Sequence, residues 1–222
     1  MAGPNLNGVH LNSVHYSGAV TGTESTRRHT RDDVAEAALR ILDDVGLPDL
    51  TMRRLAAALE VQPSALYWHF PNKQTLLAEL ADRIVASAAT SVRPEPCGSW
   101  TSGVRAEADR LRDALLACRD GAEVVASTLA LGLGSTVARD RLASAVAGGG
   151  FDAATSRRAA DALLHFILGH VSHEQQRTQY DSFGVLTGAD RGAATGAEDP
   201  VGGFGFGVGL LVGGLELTRS RK

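Results

Sequence analysis

The chain has 222 residues, a formal net charge of −3, 44% hydrophobic residues and two cysteines. That suits one large domain or two small ones sharing a core, and the dominance of Ala and Leu favours helix over sheet. No apolar run is long enough to span a bilayer, no basic-then-apolar leader opens the chain, and Cys97 and Cys118 fit no metal or redox spacing. A cytoplasmic protein with reduced thiols is expected. Any nucleic-acid binding must come from local positive charge, since the overall balance is weakly acidic.

Met1 to Ser25 is Gly, Asn, Ser, Thr and His without periodicity, and should be disordered in isolation. Arg27, Arg28, His29 and Arg31 follow. They read either as a solvated basic tail, one that a later start codon would omit, or as an arm that lays arginines into a DNA minor groove. Thr30 with Asp33 then makes a capping-box pattern, opening a helix from about Arg31 to Val45. Its apolar stripe is Val34, Ala38, Ile41, Leu42 and Val45, and Gly46 and Pro48 end it.

The stretch TMRRLAAALEVQPSALYWHFPNK, Thr51 to Lys73, reads as two short helices joined by a tight turn. Thr51 can cap the first, and Leu55, Ala56 and Leu59 share one face. Glu60, Val61 and Gln62 make the connection, and Pro63 suits the opening position of the second helix. Leu66 and Phe70, at i and i+4, face the first helix. Ser64, Ala65, Tyr67, Trp68 and His69 are left around the start and outer side: small residues, then a phenol, an indole and an imidazole. A helix that enters a major groove wants small residues where bases come close and hydrogen-bonding groups nearby. Asn72 then caps a long helix to about Ser91, with Leu76, Leu77, Leu80 and Ile84 inward and Lys73 in its first turn.

On these residues the chain resembles the tetracycline-repressor (TetR) family of bacterial transcription regulators. The resemblance covers Thr30 to about Ser91 and is carried by LTMRRLAAALEVQPSALYWHFPNKQTLL, Leu50 to Leu77. One departure is Glu60, where the family usually has Gly; a Cβ there should strain the turn. The resemblance implies an all-α homodimer with a helix-turn-helix DNA-binding domain and a C-terminal helical ligand-binding and dimerisation domain. Residues 1–29 would form the arm, 30–91 the DNA-binding domain with its connecting helix, and 92–222 the ligand domain, divided near Pro94 and Pro96. Arg53 is the expected base contact, bidentate to guanine. Pro63, Ser64, Ala65, Tyr67 and His69 lie against bases or backbone, Trp68 against sugar or methyl groups. Thr51, Tyr67 and Lys73 hold phosphates, with Arg27 and Arg28 alongside.

The remainder is also helical in pattern. Val104, Ala108, Leu111, Leu115 and Cys118 repeat behind Trp100, and Asp120-Gly121 turns the chain into a short helix ending near Leu131. Gly132 and Gly134 break it, Ser135 restarts helix, and Gly148 to Gly150 stop it. A long helix from about Asp152 to Tyr180 carries Leu163, Phe166, Ile167 and Val171 inward. Gly184 to Gly203 reads as a mobile loop, and a Gly-rich apolar element runs from Phe204 to Arg219. Its glycines cost about 1 kcal/mol each in a helix, so close approach across a subunit interface is expected to offset them. In the family, these last two helices build a four-helix dimer interface.

The regulatory half is similar to the tetracycline repressors in particular. Ser99-Trp100, Arg119-Asp120-Gly121-Ala122, His165-Phe166 with Leu168-Gly169, and Glu174-Gln175-Gln176 carry this. The resemblance implies a cavity bordered by Trp100, Glu107, Leu111, Val125, Thr128, His165, Phe166, Gly169, His173 and Glu174. In those repressors a histidine binds the magnesium chelated by the drug. Val125 stands here instead and cannot ligate a metal. A small hydrophobic antibiotic or biosynthetic intermediate is the expected effector. A magnesium–tetracycline complex, or no small molecule at all, are the alternatives. His165, His170, His173 and Glu174 lie close along one helix and could bind a metal, line the pocket, or face a dimer partner. No nucleophile, base and orienting group occur together, so no enzyme and no cofactor are expected.

Overall fold

The computed structural model describes residues 29–90, 98–182 and 200–219. They form α1 (Arg31–Val45), α2 (Met52–Ala58), α3 (Pro63–Leu66), α4 (Lys73–Thr90), α5 (Trp100–Leu116), α6 (Gly121–Ala130), α7 (Val137–Ala147), α8 (Ala153–Ser182) and α9 (Pro200–Arg219), with no strand among the described residues. The arm, with Arg27 and Arg28, and Cys97 lie outside the described residues. So does most of the expected loop, but Pro200 to Gly203 belong to α9, which starts one turn earlier than the apolar pattern implied.

The local start signals act as their chemistry requires. Thr30 and Asp33 complete a reciprocal capping box, and the Thr51 hydroxyl accepts from the Arg54 N–H at 3.1 Å. Asn72 accepts from Thr75 N at 2.8 Å. α2 closes in a Schellman motif, with Val61 N donating to Ala56 O at 3.0 Å and Glu60 N to Ala57 O at 3.2 Å. That motif needs a left-handed residue, and Glu60 supplies it at φ 55°.

One hydrophobic core joins all the helices. Val34, Leu42, Leu55, Leu66 and Phe70 fill the N-terminal part, Leu163, Ile167 and Val171 the C-terminal part, and Leu76, Leu80 and Ile84 of α4 lie between them. α4 packs on α1 at one end and on α5 and α6 along its length.

A polar joint lies beside this core. Asp120, left-handed at φ 55°, accepts from Leu47 N at 2.8 Å and from Gln179 Nε2 at 2.5 Å. Arg119 donates its backbone N–H to Asp43 at 3.0 Å and its guanidinium to the Asp44 carbonyl at 3.1 Å. The loop after α1 can come this close because Gly46 has no side chain; a Cβ there would sit 2.9 Å from Asp120 Oδ2. Cys118, buried in the same corner, has its thiol pushed up to about 12 by burial and then by the charges of Asp43 and Asp120, so it stays protonated.

The α2–α3 corner yields a direct stability prediction. Glu60→Gly removes a left-handed side chain at some cost in unfolded-chain entropy, and should raise unfolding free energy by about 0.5–1 kcal/mol. Urea unfolding of both proteins measures it; a less stable glycine variant would mean that Glu60 makes a compensating contact.

Candidate nucleic-acid interface and ligand clefts

α3 is short, and two side chains fix which way it faces. Leu66 is 1% exposed and Phe70 is fully buried, so the residues between and before them must point outward. Ser64 and Ala65 are exposed, Tyr67 is 48% exposed and Trp68 90%. A bare indole of that size is unusual on a soluble surface, because Trp buries well wherever a core can take it. His69 is half-buried in the turn after α3, and Pro63 is exposed at its start.

Arg53 projects into solvent from the first turn of α2. Thr51 uses its oxygen for the cap, which leaves its O–H free to donate outward. Lys73 is half-buried and donates to the Leu47 carbonyl at 3.3 Å, so its ammonium is turned toward the joint in this conformation. His29 contacts the Leu59 carbonyl at 3.1 Å, which places the start of the described chain beside the helix-turn-helix corner.

A charged clamp supports α3 from behind, and the sequence pattern gave no hint of it. Arg31 donates to the His69 carbonyl at 2.8 Å and to Glu79 at 2.9 and 3.1 Å, with its guanidinium 4.2 Å from the centre of the Phe70 ring. Arg83 in turn bonds Glu79 at 3.0 Å and Asp32 at 2.6 Å. α1, the end of α3 and α4 are thus tied together at one point.

Two adjoining clefts lie between α4, α5, α6, α7 and α8. One, narrow in this conformation at about 20 Å³, is bordered by Asp82, Val85, Val125, Thr128, Ala138 and Arg139, among others. The second, about 10 Å³, shares Val85 and Ala138 and is bordered by Ala88, Glu107, Leu111, Arg141 and Leu142. Of the residues expected to line a cavity, Val125 and Thr128 border the first cleft and Glu107 and Leu111 the second.

The other expected lining residues do not. Trp100 stacks edge-on against Phe151 at 5.2 Å, at the far end of α5. Phe166 packs on Phe204 at 5.9 Å and fills the space left by Gly207, where a methyl group would collide with its ring. That glycine serves contact between α8 and α9 of one chain, not the subunit interface the sequence suggested. Glu174 is held by Arg112 at 2.7 and 2.8 Å, and His170 lies against the Phe204 ring at 5.4 Å. His165, Gly169 and His173 are exposed along the outer side of α8, away from both clefts. Helical period sets this placement: Leu163, Leu164, Ile167, Leu168 and Val171 take the inward face, so 165, 169 and 173 turn out. No group of three or more His, Cys, Asp or Glu among the described residues is placed to hold a metal ion.

The shared motif residues have another use. Gln175 donates to the Leu115 and Cys118 carbonyls at 3.0 and 2.8 Å and accepts from Ala122 N at 3.3 Å. With Gln179 on Asp120, α8 thereby holds the corner that carries the 119–122 turn.

This arrangement, a short helix with an outward aromatic face set by a helix-turn-helix and joined through α4 to a helical body with internal clefts, is that of a DNA-binding transcription regulator with a sensing half. The chain belongs to the TetR family: residues 34–80 match the model of bacterial regulatory proteins of the tetR family, and 93–195 that of the tetracyclin repressor-like C-terminal domain. It is 35% identical to the class C tetracycline repressor of Escherichia coli over 204 residues, 85% of this chain and 91% of that one. Mycobacterium smegmatis BioQ matches with 39% identity and TM-score 0.72 over 84% of this chain and 97% of its own. BioQ with its double-stranded DNA operator matches at 36% and 0.68, over 84% and 98%. A TetR variant from Acinetobacter baumannii in complex with minocycline matches at 30% and 0.68, over 86% and 98%.

The clamp makes a pH prediction. Burial by itself would raise the Glu79 carboxyl, but hydrogen bonds and charge from Arg31 and Arg83 outweigh it and hold Glu79 below its ordinary 4.5. A depressed carboxyl contributes stability that is complete above the unfolded value and is lost as pH falls through the folded one. Unfolding free energy should therefore drop as pH is lowered below about 4.5, and Glu79→Gln should flatten that drop. Parallel pH profiles for the two proteins would show that the clamp carries no such linkage.

Proposed function

We propose that this chain is a cytoplasmic transcriptional repressor that binds a palindromic operator as a homodimer and releases it when a small hydrophobic molecule fills the clefts. The observation that carries the reading is the exposure of Ser64, Ala65, Tyr67 and Trp68 on α3 and the turn after it, with Arg53 exposed on α2. Small residues let the helix approach base edges, Arg53 presents a planar fork suited to guanine, and Tyr67 and Thr51 supply donors for phosphate. Arg27 and Arg28 would extend the contact into the flanking minor groove.

Dimerisation is supported by the bare apolar face of α9. Phe206 and Leu217 are each 69% exposed and Leu210 61%, spaced along one side of the helix. His165, Gly169 and His173 continue an uncovered strip along α8. A second copy laid against both helices would bury them and place two α3 helices about 34–36 Å apart, one DNA turn. No helix of the described residues is long and apolar enough to cross a membrane, so a protein partner for that face agrees better than a bilayer.

Residues 30–91 would then be the reading half and 92–222 the sensing half, with α4 as the lever. Val85 lies in both cleft walls, while Leu76 and Leu80 sit in the core under the helix-turn-helix. A ligand that spreads the clefts moves α4, and favours the DNA-incompetent spacing only as far as it binds that state more tightly. Val125 gives no donor to a chelated magnesium, which favours an effector held by apolar contact and by the polar groups of the cleft walls.

The test is operator binding with single-base variants of a palindromic duplex. Arg53→Ala should cost about 1–3 kcal/mol and lose discrimination at one base pair per half-site. An equal loss on every duplex would make Arg53 a phosphate clamp. A monomer indifferent to any palindrome would overturn the reading altogether.

A further inference from the structure

Glu107 stands in the wall of the second cleft, 9% exposed, between two arginines. Arg110 donates to its Oε2 at 3.0 Å. Arg141 donates to the same oxygen at 3.1 Å and brings Nε within 2.5 Å of Oε1. Arg110 is 8% exposed, and Arg141, which borders the cleft, retains 28% of its side-chain surface. Within this trio two guanidiniums share one carboxylate, with Glu107 and Arg110 buried and Arg141 partly exposed. Unbalanced buried charge is costly, and the cost falls when an anion arrives. Arg141 has five N–H donors and commits a minority of them to Glu107, so donors remain for a second acid. The rest of this wall is aliphatic: Val85, Ala88, Leu111, Ala138 and Leu142.

We infer that the effector is an amphipathic acid, an aromatic or aliphatic body carrying a carboxylate, sulfonate or ionised phenol, whose anionic group pairs with Arg141 beside Glu107 while its body lies on the aliphatic wall. This rests on the ligand-release reading and specifies the chemical class it requires. Glu107 acts as the resident counter-charge: it keeps Arg141 aimed at the cleft when the site is empty and limits affinity by repelling the incoming acid. An apolar wall with one fixed charged anchor is a common way to orient a small ligand, and the arginine fork matches planar acids in particular.

The test uses two dyes of the same framework on the full chain: 8-anilinonaphthalene-1-sulfonate, which carries the acid, and N-phenyl-1-naphthylamine, which lacks it. Binding of each is read by fluorescence, with and without operator duplex, on protein whose folding is checked by thermal melting. The sulfonate should bind more tightly and weaken operator binding. Arg141→Gln should weaken the sulfonate by about tenfold and leave the neutral dye within about twofold, whereas Glu107→Gln should tighten the sulfonate. Opposite signs from two residues of one ion pair separate an electrostatic anchor from a packing role, and Glu107→Gln alone carries the test should Arg141→Gln not fold. Equal affinity for both dyes, or equal weakening of both by Arg141→Gln, overturns the acid inference and leaves ligand release standing. Binding of neither dye contradicts both.

Discussion

The arrangement depends on the two anchors of α3. A helix of four residues has no stability of its own, because nucleation costs more than so few hydrogen bonds return. Leu66 and Phe70 hold it by being sunk completely into the core, each worth roughly 1.5–3 kcal/mol of burial. Once they are fixed, the direction of Ser64, Ala65, Tyr67 and Trp68 follows from helical period alone. The exposed indole is thus a consequence of the core, held outward at the cost of the burial it could otherwise gain. The Arg31 guanidinium completes the support by bonding the His69 carbonyl in the turn that follows α3.

The second constraint is that the reading surface and the clefts are not independent bodies. α4 contributes side chains to the core under α3 and to both cleft walls, and the Asp120 joint ties the loop after α1 to α5, α6 and α8. The joint is made of charge-assisted hydrogen bonds, those of Asp120 buried or half-buried and those of Arg119 exposed to solvent, and the former are stronger than surface contacts. The approach is close: a Cβ at Gly46 would sit 2.9 Å from Asp120 Oδ2.

Much of this was legible in the sequence where local chemistry decides the outcome. Thr30, Thr51 and Asn72 cap because their side chains suit it, and Leu66 and Phe70 point inward because their spacing matches the helix. The strain at Glu60 could be read from one missing glycine. What was not legible depends on which faces meet. The clamp of Arg31, Glu79, Arg83 and Asp32 joins residues up to 51 positions apart, and no periodicity announces it. Motif resemblance put Trp100, His165, Phe166, Gly169, His173 and Glu174 in the pocket, whereas in this chain Trp100 packs on Phe151, Phe166 on Phe204 and Glu174 on Arg112, and the other three are exposed. The wall actually contributed by α7, with Arg139 and Arg141, falls on an element whose sequence gave only its start and end.

The central claim, that the outward face of α3 is what meets DNA, is tested most directly by the accessibility of its indole. The chain has two tryptophans, so a Trp100→Phe variant leaves Trp68 as the reporter. Acrylamide quenching of that variant should be near the fully exposed limit in the free protein and strongly reduced in complex with a palindromic duplex from beside its coding region, at two chains per duplex. Unchanged quenching in a complex shown to be bound would place the DNA on another surface and contradict the account.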